Sequence, residues 1–164
     1  MGDARWMSNS HRDFRSRCPI NIALEIIGDR WSLLIVRDLM FKGRHSFGAL
    51  LEGGEGISTN ILTDRLRNLE ANQIIEPTPV EGDNRRVHYR LTERGIDLAP
   101  MLVEMMLWSS AYESTDAPPA QLKAMRADRD KFIAEVVERW NATRQIESRP
   151  AGRERVSDKE AAKR

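Results

Sequence analysis

Residues 46–72 read SFGALLEGGEGISTNILTDRLRNLEAN. Ser46 has the form of an N-cap for a short helix carrying Phe47, Leu50 and Leu51, because a serine oxygen can accept a hydrogen bond from an unpaired amide of the first turn. Gly53-Gly54-Glu55-Gly56 then reads as a turn, and Ser58 caps a second helix. Along Thr59 to Asn72, Leu62, Leu66 and Leu69 repeat at i, i+4 and i+7 with Ile61 on the flank, while Asn60, Thr63, Asp64 and Arg67 fall on the opposite side. A short helix, a glycine turn and a helix with a polar outer face make a helix-turn-helix unit.

Upstream, Pro19 opens a short helix whose Ile20, Ala23, Leu24 and Ile27 share one face and which ends at Gly28. Asp29 can cap the next helix, which turns Trp31, Leu34, Ile35 and Leu39 toward a core and stops near Lys42-Gly43. Downstream, Pro77 and Pro79 suit an edge strand, Glu81-Gly82-Asp83-Asn84 supplies a turn, and the return stretch alternates. Val87, Tyr89 and Leu91 lie on one face and Arg86, His88 and Arg90 on the other, a half-buried hairpin with a basic outer side. Thr92 caps a long helix predicted from Glu93 to about Tyr112, with Leu98, Met101, Leu102, Met105 and Trp108 as its apolar side. A further helix is predicted from about Ala120 to Arg144 beyond the break at Pro118-Pro119. The fold class is therefore mostly α, an α+β winged helix-turn-helix with a two-stranded β wing and long dimerisation helices. Its parts are an N-terminal arm at 1–17, the winged unit with its dimer helix at 18–113, a helical extension at 114–146 and a charged, disordered tail at 147–164.

Composition bounds the function. A chain of 164 residues with 40% hydrophobic and 31% charged residues can build one modest core. Its apolar runs are far short of the roughly 18–20 residues of a membrane span, and Met1 to Arg17 lacks the apolar stretch of a secretory signal, which predicts a cytoplasmic protein. The single cysteine, Cys18, excludes an internal disulfide or a cysteine-cluster metal site. His11, His45 and His88 are scattered, and neither a phosphate-cradling lysine loop nor a nucleophile elbow is present, so neither an enzyme, a cofactor nor a metal site is expected. The net charge of +1 argues against a partner bound by bulk electrostatics. From Ser58 to Arg94, six arginines (65, 67, 85, 86, 90, 94) meet six acids (64, 70, 76, 81, 83, 93), so any positive face must come from placement.

The helix Ser58–Asn72 suits a DNA major groove, which admits one α-helix. Asn60, Thr63 and Arg67 would face base edges, and Ser58 and Thr59, near the helix N-terminus, phosphate oxygens. Arg65 lies beside the leucine stripe and could bind a carboxylate or a phosphate. Arg85, Arg86, His88 and Arg90 would form a wing against the backbone or the minor groove. The same stripes also describe a solvated helix and a solvated hairpin. Cys18 sits at a helix start near Arg15 and Arg17, a setting that lowers a thiol pKa and permits oxidant sensing. It equally suits a small buried residue. The apolar side of the Glu93 helix reads as a subunit interface, with the Ala120–Arg144 helix packing on it. No polar constellation marks a small-molecule pocket between the helices.

Cys18-Pro19, Ile27-Gly28-Asp29-Arg30-Trp31, Phe47-Gly48-Ala49-Leu50 and Gly56-Ile57-Ser58-Thr59-Asn60-Ile61-Leu62-Thr63 together resemble the HxlR family of bacterial regulators. Arg65-Leu66-Arg67-Asn68-Leu69-Glu70 and Arg86-Val87-His88-Tyr89-Arg90-Leu91-Thr92-Glu93-Arg94-Gly95 resemble its recognition helix, wing strand and entry to the dimer helix. The resemblance runs from about Cys18 to Ala111. It implies a homodimeric winged-helix regulator, a repressor or an activator, related in architecture to MarR proteins and tied to stress, aldehyde or quinone responses. It further implies double-stranded DNA with a palindromic or pseudo-palindromic operator as the partner, and a small-molecule or oxidant effector. Some members use a cysteine at the place of Cys18 for sensing, including disulfides between subunits. The turn Gly53 to Gly56, the acidic Asp64 and everything beyond about Glu113 fall outside the pattern. A winged-helix module used only for protein contacts is the alternative reading.

Overall fold

The computed structural model of the chain describes residues 14–80 and 83–147, and the side chains of all of these except 83–85 and 145–147. Its elements in order are α1 (Pro19–Ile27), α2 (Ser32–Phe41), α3 (Phe47–Leu51), α4 (Thr59–Ala71), β1 (Ile75–Val80), β2 (Asp83–Leu91), α5 (Glu93–Ile96), α6 (Ala99–Tyr112), α7 (Pro119–Ala127) and α8 (Arg129–Glu147). Four starts before α6 are fixed by side chains that accept hydrogen bonds from first-turn amides. Asp29 Oδ1 accepts from Trp31 and Ser32 at 2.8 and 3.0 Å ahead of α2. Ser46 accepts from Ala49 at 3.2 Å, Ser58 from Ile61 at 3.4 Å and Thr92 from Gly95 at 3.1 Å. All four are the caps that the sequence predicts.

The core gathers Ile35, Val36 and Leu39 of α2 against Leu62, Leu66 and Leu69 of α4, closed by Ile74, Ile75 and Leu91 from the hairpin. β1 and β2 are antiparallel, pairing Ile75 with Leu91, Glu76 with Arg90 and Thr78 with His88, with an irregularity between Pro79 and Val80. The far side of β2 is also used: the Tyr89 amide donates to the His45 carbonyl at 2.7 Å, and Ser46 bridges His88. β1 is thus left on the outside, where its two prolines remove no donor that the ladder needs. The result is the expected helix-turn-helix with a two-stranded wing.

Three expectations are corrected. The predicted helix Glu93–Tyr112 is two, broken at Asp97-Leu98, because Pro100 has no amide hydrogen and its ring excludes the carbonyl four residues back. The predicted helix Ala120–Arg144 is likewise two. Asp128 turns extended between them and accepts the Lys131 amide at 2.9 Å as the cap of α8. In α1 the buried residues are Ile26 and Ile27, with Ile20 and Leu24 71% and 61% exposed. All of α1 except Asn21 and Glu25 is apolar, so the repeat fits more than one stripe, and the packing of α1 on α4 selects among them.

Beyond α6 the chain folds back. Met125 of α7 is fully buried with Val103 and Leu107, and Val136 of α8 joins the main core. The Phe132 and Phe41 rings stand 6.5 Å apart, and Trp140 Nε1 donates to the Leu91 carbonyl at 2.9 Å. The extension therefore packs on the expected dimer helix and reaches the base of the wing. Residues 1–13 of the expected arm and 148–164 of the expected tail lie outside the described residues. No helix among the described residues is long and apolar enough to cross a membrane.

Candidate nucleic-acid interface

α4 carries the site because its leucine stripe is buried, which turns the remaining faces outward. Ser58, Thr59, Asn60 and Arg67 are exposed and Thr63 is half-buried. The Ser58 oxygen accepts the capping bond from the Ile61 amide, and the Thr63 hydroxyl donates to the Thr59 carbonyl at 2.8 Å, which commits its hydrogen and leaves its oxygen able to accept. Arg67 makes no ion pair with any described residue.

Arg65 is held within the chain. Its guanidinium lies 3.2 Å from Asp29 Oδ2 and also bonds Asp64. The Asp64 hydrogen bond does most to raise the Arg65 pKa, against partial burial, and Asp29 adds to it. Burial pushes the Asp29 carboxyl up, but hydrogen bonds from the Ser32 hydroxyl, the Trp31 and Ser32 amides and Arg65 hold it below its ordinary 3.8. One carboxylate thus caps α2 and clamps α4 beside it. Of the two partners that the sequence left open for Arg65, the carboxylate is the one in place. The acid on the outer face of α4, Asp64, is paired with the same guanidinium, which it shares with Asp29.

On the wing, Arg90 Nε lies 2.8 Å from its cross-strand neighbour Glu76. Arg86 and His88 are exposed, and the side chain of Arg85, like residue Glu81, lies outside the described part. Arg144 of α8 pairs with Glu93 at 3.4 Å. Three of the six acids that balance the unit's arginines are therefore matched by cations: Asp64, Glu76 and Glu93.

The turn that aims α4 rests on a network that the sequence reading missed. Asp38, on α2, is buried and receives Arg37 at 2.6 Å and Arg44 at 2.9 Å. Arg37 continues to Glu55 at 2.7 Å, and Arg44 donates to the Gly53 carbonyl at 3.0 Å. Burial lowers the Arg37 pKa, but bonds to Glu55 and Asp38 outweigh it and raise it. These contacts tie both arms of the glycine turn to α2. The available signal was Asp38 itself, an acid three residues after Ile35 on a buried stripe.

Cys18 is exposed at the head of α1, which removes the buried-residue reading, and its amide donates to the Ser16 hydroxyl at 3.3 Å. Of the residues expected at a subunit interface, Leu102 is instead buried in the chain's own core, because α6 turns it against α2. Leu98 and Met101 are half-buried at the edge of that core. Met105 and Trp108 are 48% and 70% exposed, and Tyr112, not singled out in the sequence, is exposed beside Trp108 with ring centroids 5.8 Å apart.

Residues 26–117 match the family model HxlR, an HxlR-like helix-turn-helix. The chain is 41% identical over 88 residues to the uncharacterised HTH-type transcriptional regulator sll1512 of Synechocystis sp., covering 54% of this chain and 64% of that one. It is 34% identical over 96 residues to the HTH-type transcriptional regulator YodB of Bacillus subtilis, covering 58% and 85%. Among solved structures it is similar to the redox regulator HypR in its oxidised form, with a TM-score of 0.53 and 28% identity over 60% of this chain and 100% of that one. The chain spans less than two thirds of the length of several curated relatives, including 64% of sll1512 and 63% of Rv3095 of Mycobacterium tuberculosis. α7 and α8 lie beyond the residues that the family model matches.

Proposed function

Starting from a chain that belongs to the HxlR-like helix-turn-helix family, we propose that it is a transcriptional regulator which reads double-stranded DNA as a homodimer. The observation that carries this reading is the outer face of α4: Asn60, Thr63 and Arg67 point away from the leucine stripe, and Arg67 has no ion pair among the described residues. With Asp64 held by Arg65, the negative charge on the face that would enter a major groove is partly offset. Arg67 can then bond guanine, Asn60 adenine, and Thr63 can contact a thymine methyl. Ser58 and Thr59 at the helix N-terminus, with Arg85, Arg86 and His88 on the wing, meet phosphates and set the register. Arg65 and Arg90 act mainly as internal partners.

The second protomer would pack on the exposed Met105, Trp108 and Tyr112 of α6. A two-fold pair then presents two α4 helices about 34–36 Å apart and selects a palindromic or near-palindromic operator. The exposed Cys18, taken with the redox regulator HypR among similar structures, supports an oxidant response. Two Cys18 thiols would give up two protons and two electrons to hydrogen peroxide, forming one disulfide and two waters.

The test is fluorescence anisotropy with a duplex from the gene's own upstream region at two salt concentrations, with and without peroxide. We expect affinity to fall steeply with salt, and Arg67→Ala to cost about 1–3 kcal/mol at a cognate site. A peroxide effect should vanish in Cys18→Ser. Absence of duplex binding by the folded dimer would instead favour a winged-helix module that makes only protein contacts.

A further inference from the structure

A cavity of about 480 Å³ lies between the end of α2, the wing and the last turns of α8. Such a volume is typical of small-molecule sites. Its walls are apolar below, with Leu39, Phe41, Ile96 and Val136, and carry the aromatic faces of Tyr89 and Trp140. Its rim is basic: His45, His88, Arg90, Arg139 and Arg144 all line it, and no described carboxylate does. Arg90 and Arg144 are engaged by Glu76 and Glu93. Arg139 forms no ion pair with a described residue. Thr78 Oγ1, on the β1 wall, is buried with no hydrogen-bond partner among them, a cost that a ligand acceptor would remove.

We propose that this cavity binds a small aromatic carboxylate, with the ring against Phe41, Tyr89 and Trp140, the anion on the Arg139 guanidinium, and a hydrogen bond from the Thr78 hydroxyl. The cations that line the cavity, with Arg139 making no ion pair with a described residue, favour an anion. The aromatic and aliphatic floor selects against an inorganic one, which would leave that surface uncovered. A group of one or two fused rings fits the volume, whereas a dinucleotide does not.

The site joins two parts of different standing. α8 lies beyond the residues that the family model matches, while β2 is the wing strand, held through His88 to Ser46 at the head of α3. A ligand touching both would fix the wing relative to α4. This consequence rests on the DNA-binding reading, but occupancy of the cavity does not.

The experiment is isothermal titration of the full chain with 2-naphthoate, its neutral amide, and a duplex, each separately and then together. The naphthoate should bind, the amide and the variant Arg139→Gln should each weaken binding about tenfold or more, and Thr78→Val should weaken it less. Arg126→Gln, an exposed arginine of α7, should leave it unchanged. Arg139 is exposed, so its variant should fold, and matching melting curves will confirm that. No naphthoate binding at millimolar concentration, or equal affinity in Arg139→Gln, overturns the proposal. Naphthoate bound without any duplex binding would keep the cavity and remove the DNA-binding reading. Duplex binding without naphthoate binding would do the reverse.

Discussion

At the scale of single residues, the acids decide what the arginines can do. Arg65 and Arg67 are two positions apart on α4 and have the same charge, yet Arg65 is spent on Asp29 and Asp64 and Arg67 is not. Their alanine variants should therefore separate. Arg67→Ala lowers DNA affinity with little change in stability, whereas Arg65→Ala lowers stability by releasing Asp29. Asp29 makes a pH prediction. Its carboxyl titrates below the ordinary 3.8 in the folded chain, so its stabilising contribution is complete above that value and is lost as pH falls through the lower folded one. Urea midpoints taken from neutral pH down to about pH 3 should fall more for the native chain than for Asp29→Asn, while Asp29→Ala should cost about 1–2 kcal/mol at neutral pH through loss of the cap. Equal acid sensitivity of the native and Asn forms would show that Asp29 is not the group responsible. The capping half of this role was legible in the sequence, since a cap acts within three residues of itself. The clamp on Arg65 was not, because it joins two elements whose approach only the fold determines.

At the scale of elements, what was readable is what is local. The leucine stripe of α4, the four caps and the edge-strand prolines each depend on neighbours a few residues away. The break between α5 and α6 was also written locally, in Pro100, but the strong apolar repeat from Leu98 onward masked it. α1 is too short and too apolar for periodicity to choose its buried face. The junction after the wing gives a sharper test. Thr92 donates its amide to the Ile74 carbonyl at 3.0 Å, and α5 then passes so close to that oxygen that a β-carbon on Gly95 would lie 2.1 Å from it. Backbone cannot yield as a flexible side chain can, so Gly95→Ala should destabilise by about 3 kcal/mol or more. Gly48 in α3 has nothing within 4 Å of its would-be β-carbon, and Gly48→Ala should stabilise by about 0.5–1 kcal/mol. Urea denaturation of the two variants measures both. A Gly95→Ala chain as stable as the native one would mean that the contact between α5 and Ile74 is not tight in solution.

At the scale of the whole molecule, a net charge of +1 and a DNA-facing role are compatible only if charge is sorted by position. The ion pairs of Asp64, Glu76 and Glu93 do part of that sorting. The cavity under α8 belongs to the same scale, and it escaped sequence reading because its walls come from α2, both strands of the wing and α8; Trp140 and Leu91, joined across it, are 49 residues apart. Assembly is the remaining whole-molecule question. The chain buries Leu102, Val103 and Leu107 of α6 by itself, with α7 and α8 covering part of that helix, yet Trp108 and Tyr112 stay 70% and 74% exposed. Large aromatic side chains are favoured as interface anchors, since they cover much area at small entropic cost. Because Trp108 supports nothing inside the protomer's core, Trp108→Glu should leave its fold intact while placing a charge at the centre of the proposed contact. Light scattering should then report a monomer with an unchanged circular dichroism spectrum. Two half-sites read by one dimer gain from effective concentration, so the monomer should bind the full operator roughly 10²–10⁴-fold more weakly, while each α4 keeps its base preference. A Trp108→Glu protein that remains dimeric would move the interface elsewhere, with the exposed Ile20 and Leu24 of α1 as the next surface to test.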